Sequence, residues 1–407
     1  MGVLTSIETK AVERAGAAPM LDQVQAWSAI NSGSRNPSGL AQMAQLLADA
    51  FSVLPGELHL LEPSPAELMQ PDGSLVPLDH GSNIHLIVRP EAPVQLLFTG
   101  HYDTVFAADH PFQDVFWRSE GVLGGPGVAD MKGGLAVMLA ALLAVECSAA
   151  ADGLGYEIVL NSDEEIGSPG SAALIAGAAQ GKKAALTYEP SALPDGTLAG
   201  ARPGSGNFSL AVRGRSAHAG RNPEEGRNAL VAAADLALRL SSARTPGLKV
   251  NPARIDGGGP NNVVPDLAVL RVNLRPETLQ DQERAQSLLN RIIAAVAAEH
   301  EVSITVHGGF ARPPKPMSAQ AEKLFQLVRR CGADLGQEIG WRATGGVCDG
   351  NNIAACGVPV VDTMGVRGGA IHSDAEYLIV DSLAERAALS ALTILRLADD
   401  RLNEGQS

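Results

Sequence analysis

Two histidines and four acids in this chain occupy short loops whose composition suits a divalent cation. Gly100-His101-Tyr102-Asp103-Thr104 pairs an imidazole with a carboxylate two residues on, and such an acid fixes the tautomer and basicity of a metal-binding ring. Asp130 lies in the glycine-rich stretch Gly124 to Gly134, whose spacing is not that of a phosphate-binding loop. Asn161-Ser162-Asp163-Glu164-Glu165 crowds three acids that repel one another unless cations compensate them. Adjacent carboxylates there suit two jobs, one binding metal and its neighbour moving a proton. Glu189, in Thr187-Tyr188-Glu189-Pro190-Ser191, and His372, in Gly368 to Tyr377, complete the set. Singly each is an ordinary feature, such as a helix-capping Asp or a solvated charge run. Only their convergence on one place makes a site.

The elements around these stretches predict that convergence. Val94 to Thr99, Glu157 to Asn161 and Ala184 to Tyr188 are near-continuous apolar runs, as strands covered on both faces require. Met131 to Cys147 reads as a buried helix. Strands alternating with helices predict an α/β layer with a mixed, mostly parallel sheet flanked by helices. Ligand sites of such sheets gather beyond the C-terminal strand ends, where four of the five stretches fall.

The pattern changes near Gly200. Asn207 to Arg213, Leu248 to Ile255, Leu267 to Leu274 and Val302 to His307 read as strands, with helices at Arg227 to Ser242 and Thr278 to His300. That β-α-β-β-α-β order, over about 105 residues, is the ferredoxin-like unit. Arg312-Pro313-Pro314-Lys315-Pro316 ends it as a linker. A helix at Ala319 to Leu335, a strand at Val358 to Met364 and a helix at Ser382 to Leu402 then resume the first pattern. The expected organisation is a catalytic metal-binding domain of residues 1–202 and 313–407, interrupted by a small α+β domain, 203–312.

Composition narrows the function. With 31 Lys+Arg against 45 Asp+Glu the net charge is −14, which disfavours nucleic acid and anionic membrane as partners. Hydrophobic residues make up 45% of the 407, so the chain is neither disordered nor a disulfide scaffold. Four cysteines show no zinc-finger spacing and no disulfide framework. Residues 1–20 lack a secretion signal, and the longest apolar run, Gly133 to Val145, is too short for a bilayer span. A cytoplasmic protein is expected.

GHYDTV, GVADMKGG, NSDEEIGS, TYEPS and IHSDAEY, in that order, resemble the five metal-site motifs of the dinuclear zinc peptidases. That family includes glutamate carboxypeptidases, aminoacylases, acetylornithine deacetylase and succinyl-diaminopimelate desuccinylase, and the likeness runs from about residue 20 to 400. The resemblance implies two divalent ions per chain, zinc by preference with cobalt or manganese as alternatives. Asp130 would bridge them, His101 and Glu189 would complete one site, and Glu165 and His372 the other. Glu164 would be the general base, Asp103 would orient His101, and the Asp130–Met131 peptide would be cis.

The resemblance also covers the insert. Ser216-Ala217-His218-Ala219-Gly220 and Gly257 to Pro265 resemble lid motifs, in which His218 would stabilise the oxyanion in the active site of a partner subunit. Asn262 would contact substrate and Arg275 would bind its carboxylate; Arg202 and Arg312, at the hinges, are further candidates for that carboxylate. A homodimer through the insert follows. The implied reaction is hydrolysis of an amide in a small substrate with a free carboxylate, by a metal-bound water and Glu164. A carboxypeptidase or N-acyl amino acid amidohydrolase leads, Glu189 being the form of the fourth motif that goes with those activities. A di- or tripeptidase and a catalytically silent metal-binding relative are the alternatives.

Overall fold

The structure is a computed structural model that describes residues 4–399. Its larger layer is a six-stranded sheet: β1 (Glu57–Leu61), β2 (Asn83–Val88), β3 (Val94–His101), β4 (Leu154–Asn161), β5 (Ala184–Thr187) and, late in the chain, β10 (Val360–Val361). The spatial order is β1-β2-β4-β3-β5-β10. β1, β2 and β4 pair antiparallel, and the remaining neighbours pair parallel. The parallel part carries the site, because parallel strands end together at one edge.

Both faces are covered. Leu96 and Phe98 of β3 join one core with α4 (Gly133–Glu146), while Leu97 points the other way, to Ile175 of α5 (Ala172–Ala179) and Ile353 of α9 (Asp349–Ala355). Helix α4 is apolar on every side, so it is buried all round, against α1 (Ser6–Gly16), α2 (Met20–Ser28) and α10 (Asp381–Ala398). With the turn before it, Val128–Glu146 is long and apolar enough to cross a bilayer, longer than the 13 residues read from sequence. Yet 94% of its most apolar stretch is buried inside the fold, the condition of a core helix. Helix α3 (Pro37–Phe51) packs near β1 and β2. Helix α10 stops at Ala398; Leu402, to which the periodicity extends it, lies outside the described residues.

Between β5 and α8 (Ala319–Asp334) the chain builds a second sheet from β6 (Ser205–Arg213), β7 (Leu248–Gly257), β8 (Leu267–Pro276) and β9 (Ser303–Arg312). All pairs are antiparallel, in the order β7-β8-β6-β9. Asn228 and Thr278 cap α6 (Ala229–Ser242) and α7 (Leu279–Glu299) with side-chain acceptors. Phe208, Leu210, Val272 and Leu274 face these helices in a core separate from that of the larger sheet. The two connecting segments that join the layers are pinned together by one buried acid. Asp362 accepts from Arg202 Nε and Nη2 at 2.8 and 3.0 Å and from Lys315 Nζ at 2.8 Å, which holds its carboxyl down at about 2 against burial.

Candidate active site

All five metal-type stretches meet at the C-terminal edge of the larger sheet. His101 is the last residue of β3, Asp130 precedes α4, Glu164 and Glu165 form a single turn after β4, and Glu189 stands two residues past β5. His372 comes from the loop between Gly368–Gly369 and Tyr377–Ile379, and it adopts φ 62°, a strained backbone for a residue with a Cβ. Close packing needs glycine at Gly134, where a Cβ would stand 1.9 Å from the Tyr188 carbonyl oxygen, next to Glu189. The Asp130–Met131 peptide is cis.

Asp130 points one carboxylate oxygen at each histidine. Oδ1 is 3.1 Å from His101 Nε2 and Oδ2 is 3.2 Å from His372 Nε2. Glu189 Oε2 stands 3.7 Å from His101 Nε2, and Glu165 Oε2 stands 3.1 Å from His372 Nε2. The residues therefore divide into two sets that share Asp130. Donor atoms of His101, Asp130 and Glu165 lie within 4.8 Å of one another, and so do those of His101, Glu164 and Glu189. Glu164 is thus within reach of a cation as well as of a water.

Protonation here records how many acids are crowded together. Burial pushes Glu164 and Glu189 up to about 8 and Glu165 to about 7. Burial opposes charge on His101 too, but Glu189, Asp103 and Asp130 outweigh it and hold the imidazole well above its ordinary range. Hydrogen bonds to Asp130 and Glu165 raise His372 to about 11. A pocket of acids that ionise reluctantly beside imidazoles that deprotonate reluctantly is one that lacks positive charge. Two imidazoles and a shared carboxylate, with one further acid for each, form a nitrogen and oxygen donor set that fits two divalent cations.

The surrounding residues refine the expected roles. His101 Nδ1 is 3.0 Å from the carbonyl oxygen of Asp103 and 3.4 Å from its carboxylate, so the backbone is the nearer orienting group. The Asp103 carboxylate instead accepts the amides of Glu164 (3.1 Å) and Glu165 (3.2 Å) and the hydroxyl of Ser34 (2.7 Å). Asp163 turns away from the site, accepting from Gly170 N and Ser171 Oγ at 2.5 Å each. Arg202 and Arg312, considered above as receptors for a substrate carboxylate, are already paired. Arg202 is held by Asp362, and Arg312 by Asp349 and by Glu164 Oε1 at 2.9 Å.

Glu376 stands four residues after His372 in the stretch IHSDAEY, and its spacing alone assigns it no role. Its buried carboxylate accepts the amides of Gly127 (3.1 Å), Ala129 and Asp130 (3.0 Å each), tying the Asp130 turn to the His372 loop. Lys132, also buried, donates to the Trp27 and Ile30 carbonyls and fixes the other side of that turn. An acid inside a metal-type motif that is not itself a ligand is the available sequence signal for such a brace.

A cavity of about 440 Å³ opens beside Asp130, Glu164, Glu165 and Glu189. A second, of about 730 Å³, runs from Glu164, Glu165 and His372 to Arg275 on β8. His218 and Asn262 lie elsewhere on the insert, exposed and side by side: residues 218 and 263 bridge, and Ala219 N donates to the Asn262 carbonyl at 2.9 Å. Neither lines these cavities of its own chain.

Comparison with known proteins decides the family. The profile of peptidase family M20/M25/M40 matches residues 97–396, which include every metal-type residue above. The chain belongs to this family. Carboxypeptidase G2 of Pseudomonas sp. (strain RS-16) is 32% identical over 330 residues, 78% of this chain and 77% of that protein. Among solved structures, a Staphylococcus aureus tripeptidase superposes with TM-score 0.71 at 21% identity, covering 95% of this chain and 98% of that one. A dinuclear metal-binding peptidase of Bacillus subtilis gives 0.63 at 14%, with 96% and 99% covered. At those identities the structures establish the shared fold. The M20 chain described here is a hydrolase of carboxypeptidase or deacylase type.

Proposed function

We propose that the protein hydrolyses an amide bond in a small substrate that carries a free carboxylate, as a carboxypeptidase or an N-acyl amino acid amidohydrolase. The observation that carries this reading is Asp130, with one oxygen toward each of two histidines and Glu164 beside the set. His101, Asp130 and Glu189 would hold one cation and His372, Asp130 and Glu165 the other, with zinc the metal whose ligand preferences fit best. Divalent cations bound there supply Lewis acidity, which polarises an amide carbonyl and acidifies water.

The chain's own residues supply the rest. Glu164 takes a proton from the attacking water and returns it to the leaving nitrogen. Arg312 holds one oxygen of Glu164, so the other is presented to the cleft in a fixed direction. Arg275, on the opposite wall, binds the substrate carboxylate. Exposed His218 and Asn262 support a homodimer joined through the insert, in which the partner subunit's His218 reaches this site and donates to the oxyanion. Free thiols at Cys147, Cys331, Cys348 and Cys356 are compatible with the cytoplasm.

The test is release of free amine by zinc-loaded protein from a panel of N-acyl amino acids and dipeptides. Chelator-sensitive hydrolysis of substrates with a free carboxylate, and not of their amides or esters, is expected. Hydrolysis indifferent to that carboxylate would overturn the reading.

A further inference from the structure

Three arginines are buried among the described residues, and two of them have acids. Arg202 is held by Asp362, and Arg312 by Asp349 and Glu164. Arg386, on α10, is 1% exposed and forms no ion pair among the described residues. Its Nη2 donates to the Gly196 carbonyl at 2.8 Å, whereas Nη1, with two N–H groups, meets no acceptor. Their acids raise Arg202 and Arg312 above the ordinary arginine value. Burial instead pulls Arg386 down to about 10, so it stays charged at neutral pH without a partner.

The guanidinium stands at a cavity of about 220 Å³, which Arg386 lines with Gly196, Gln337, Arg367 and Glu385. A Cβ at Gly196 would be 2.9 Å from Nη2, so this glycine, at φ 100°, lets the loop close on the charged end of the side chain. Glu385 is committed to Arg367, whose Nη1 donates to it at 2.8 Å, and those two charges cancel. One positive charge is left over. Exposed Asp195 and Glu338 also line the cavity and disfavour more than one negative charge in it. The volume is below the roughly 300–1,000 Å³ of pockets for larger ligands, so the occupant must be small.

This cavity backs onto the reactive one. Residues 190–199 form a loop with two faces: Pro190, Ala192 and Pro194 line the cavity beside Asp130 and Glu189, and Asp195 and Gly196 line the small one. Arg367 Nε donates to the Pro194 carbonyl of the same loop at 2.9 Å, and Gly368, next in the chain, lines the reactive cavity.

We propose that the small cavity binds a monoanion, a small carboxylate or a halide, with Arg386 as its receptor, and that the bound anion clamps the loop behind the reactive cavity. A buried charge with no partner destabilises the fold, and an anion in charge-assisted hydrogen bonds to Nη1 removes that deficit. The two cavities share no lining residue, so the proposal stands whichever amide is hydrolysed.

The test uses zinc-loaded protein. Melting temperature is followed from zero to about 100 mM sodium acetate or sodium bromide, with ionic strength held constant by a sulfonate buffer too large for the cavity. A rise of about 2 °C or more is expected for wild-type protein and for Arg386→Lys. None is expected for Arg386→Met, which removes the charge and keeps a long unbranched chain. Anion bound by zinc is common to all three proteins and cancels in the difference. A rise with acetate alone identifies a carboxylate site, and with bromide alone a halide site. Amide exchange of residues 193–197 should slow under the effective anion in wild-type protein and not in Arg386→Met. Crystals of wild-type protein grown with that anion should show it within hydrogen-bond distance of Arg386 Nη1, a readout that does not depend on any variant folding. Water alone in the cavity, no rise with either anion, a rise that Arg386→Met retains, or unchanged exchange across the loop would overturn the proposal.

Discussion

Glu164 Oε1 lies 2.9 Å from Nη2 of Arg312, although 148 residues separate them. Arg312 ends β9, and the same guanidinium is bound by Asp349 and by the Ser168 hydroxyl, so the ion pair ties the end of the insert to the turn after β4. The contact leaves Glu164 one oxygen for chemistry. Glu164→Gln keeps an acceptor for Arg312 but cannot take a proton. The variant is expected to retain its melting temperature and metal content while turnover falls at least about a hundredfold. Metal analysis beside the rate measurement checks it; loss of an ion would make Glu164 a ligand and move the base elsewhere.

Metal stoichiometry follows from the division of the site around Asp130. Saturating zinc should give two ions per chain. Asp130→Asn should weaken both sites, because each Asp130 oxygen faces a different histidine, and His372→Ala should weaken mainly one. Elemental analysis after gel filtration decides this, and a wild-type content that never exceeds one ion would rule out the two-cation arrangement.

The protonation of the metal-free site predicts opposite pH trends for two quantities. Burial lifts Glu165 to about 7 and Glu189 to about 8, above the carboxylate range of the unfolded chain. The folded, metal-free protein therefore binds more protons than the unfolded chain between roughly pH 4.5 and 8, and its stability falls as pH rises through that window. His372, held up at about 11 against about 6.5 in the unfolded chain, adds stability that declines as pH rises from about 6.5 to about 11. Cations bind the deprotonated donors, so zinc binding should release protons at pH 7 and tighten from pH 6 to 8. Melts with chelator across that range, and calorimetry in two buffers of different ionisation enthalpy, measure the two trends. Zinc affinity that is flat with pH would contradict the protonation pattern.

What sequence made legible were the residues whose spacing is local. Four of the five stretches could be placed beyond strand ends, and β3, β4 and β5 announce themselves as apolar runs. The strands of the insert appear as alternation. By contrast, β1 exposes most of its residues and has no such run, and α1 draws on a capping box between Thr5 and Glu8 rather than on a strong apolar stripe. Contacts between distant elements were out of reach: Arg312 on Glu164, Asp362 on Arg202 and Lys315, and Glu376 on the Asp130 turn. Arginine looks like a free anion receptor until its partner's place in the fold is known.

The assembly can be tested by complementation. If the partner subunit's His218 completes each site, His218→Ala and Glu164→Gln proteins are each inactive, yet a mixed dimer contains one site with an intact base and an intact histidine from different chains. Subunit exchange between the two variants should then restore up to about half of the wild-type activity per dimer, as half of its sites are whole. The geometry that makes this reasonable is the placement of His218: exposed, beside Asn262, and absent from both cavities that adjoin the metal-type residues of its own chain. Exchange is followed with one variant carrying a mass tag, so that hybrid formation is established independently of activity. Hybrids without recovered hydrolysis would mean that His218 serves its own chain or none, and the oxyanion donor would then have to be sought on the catalytic layer.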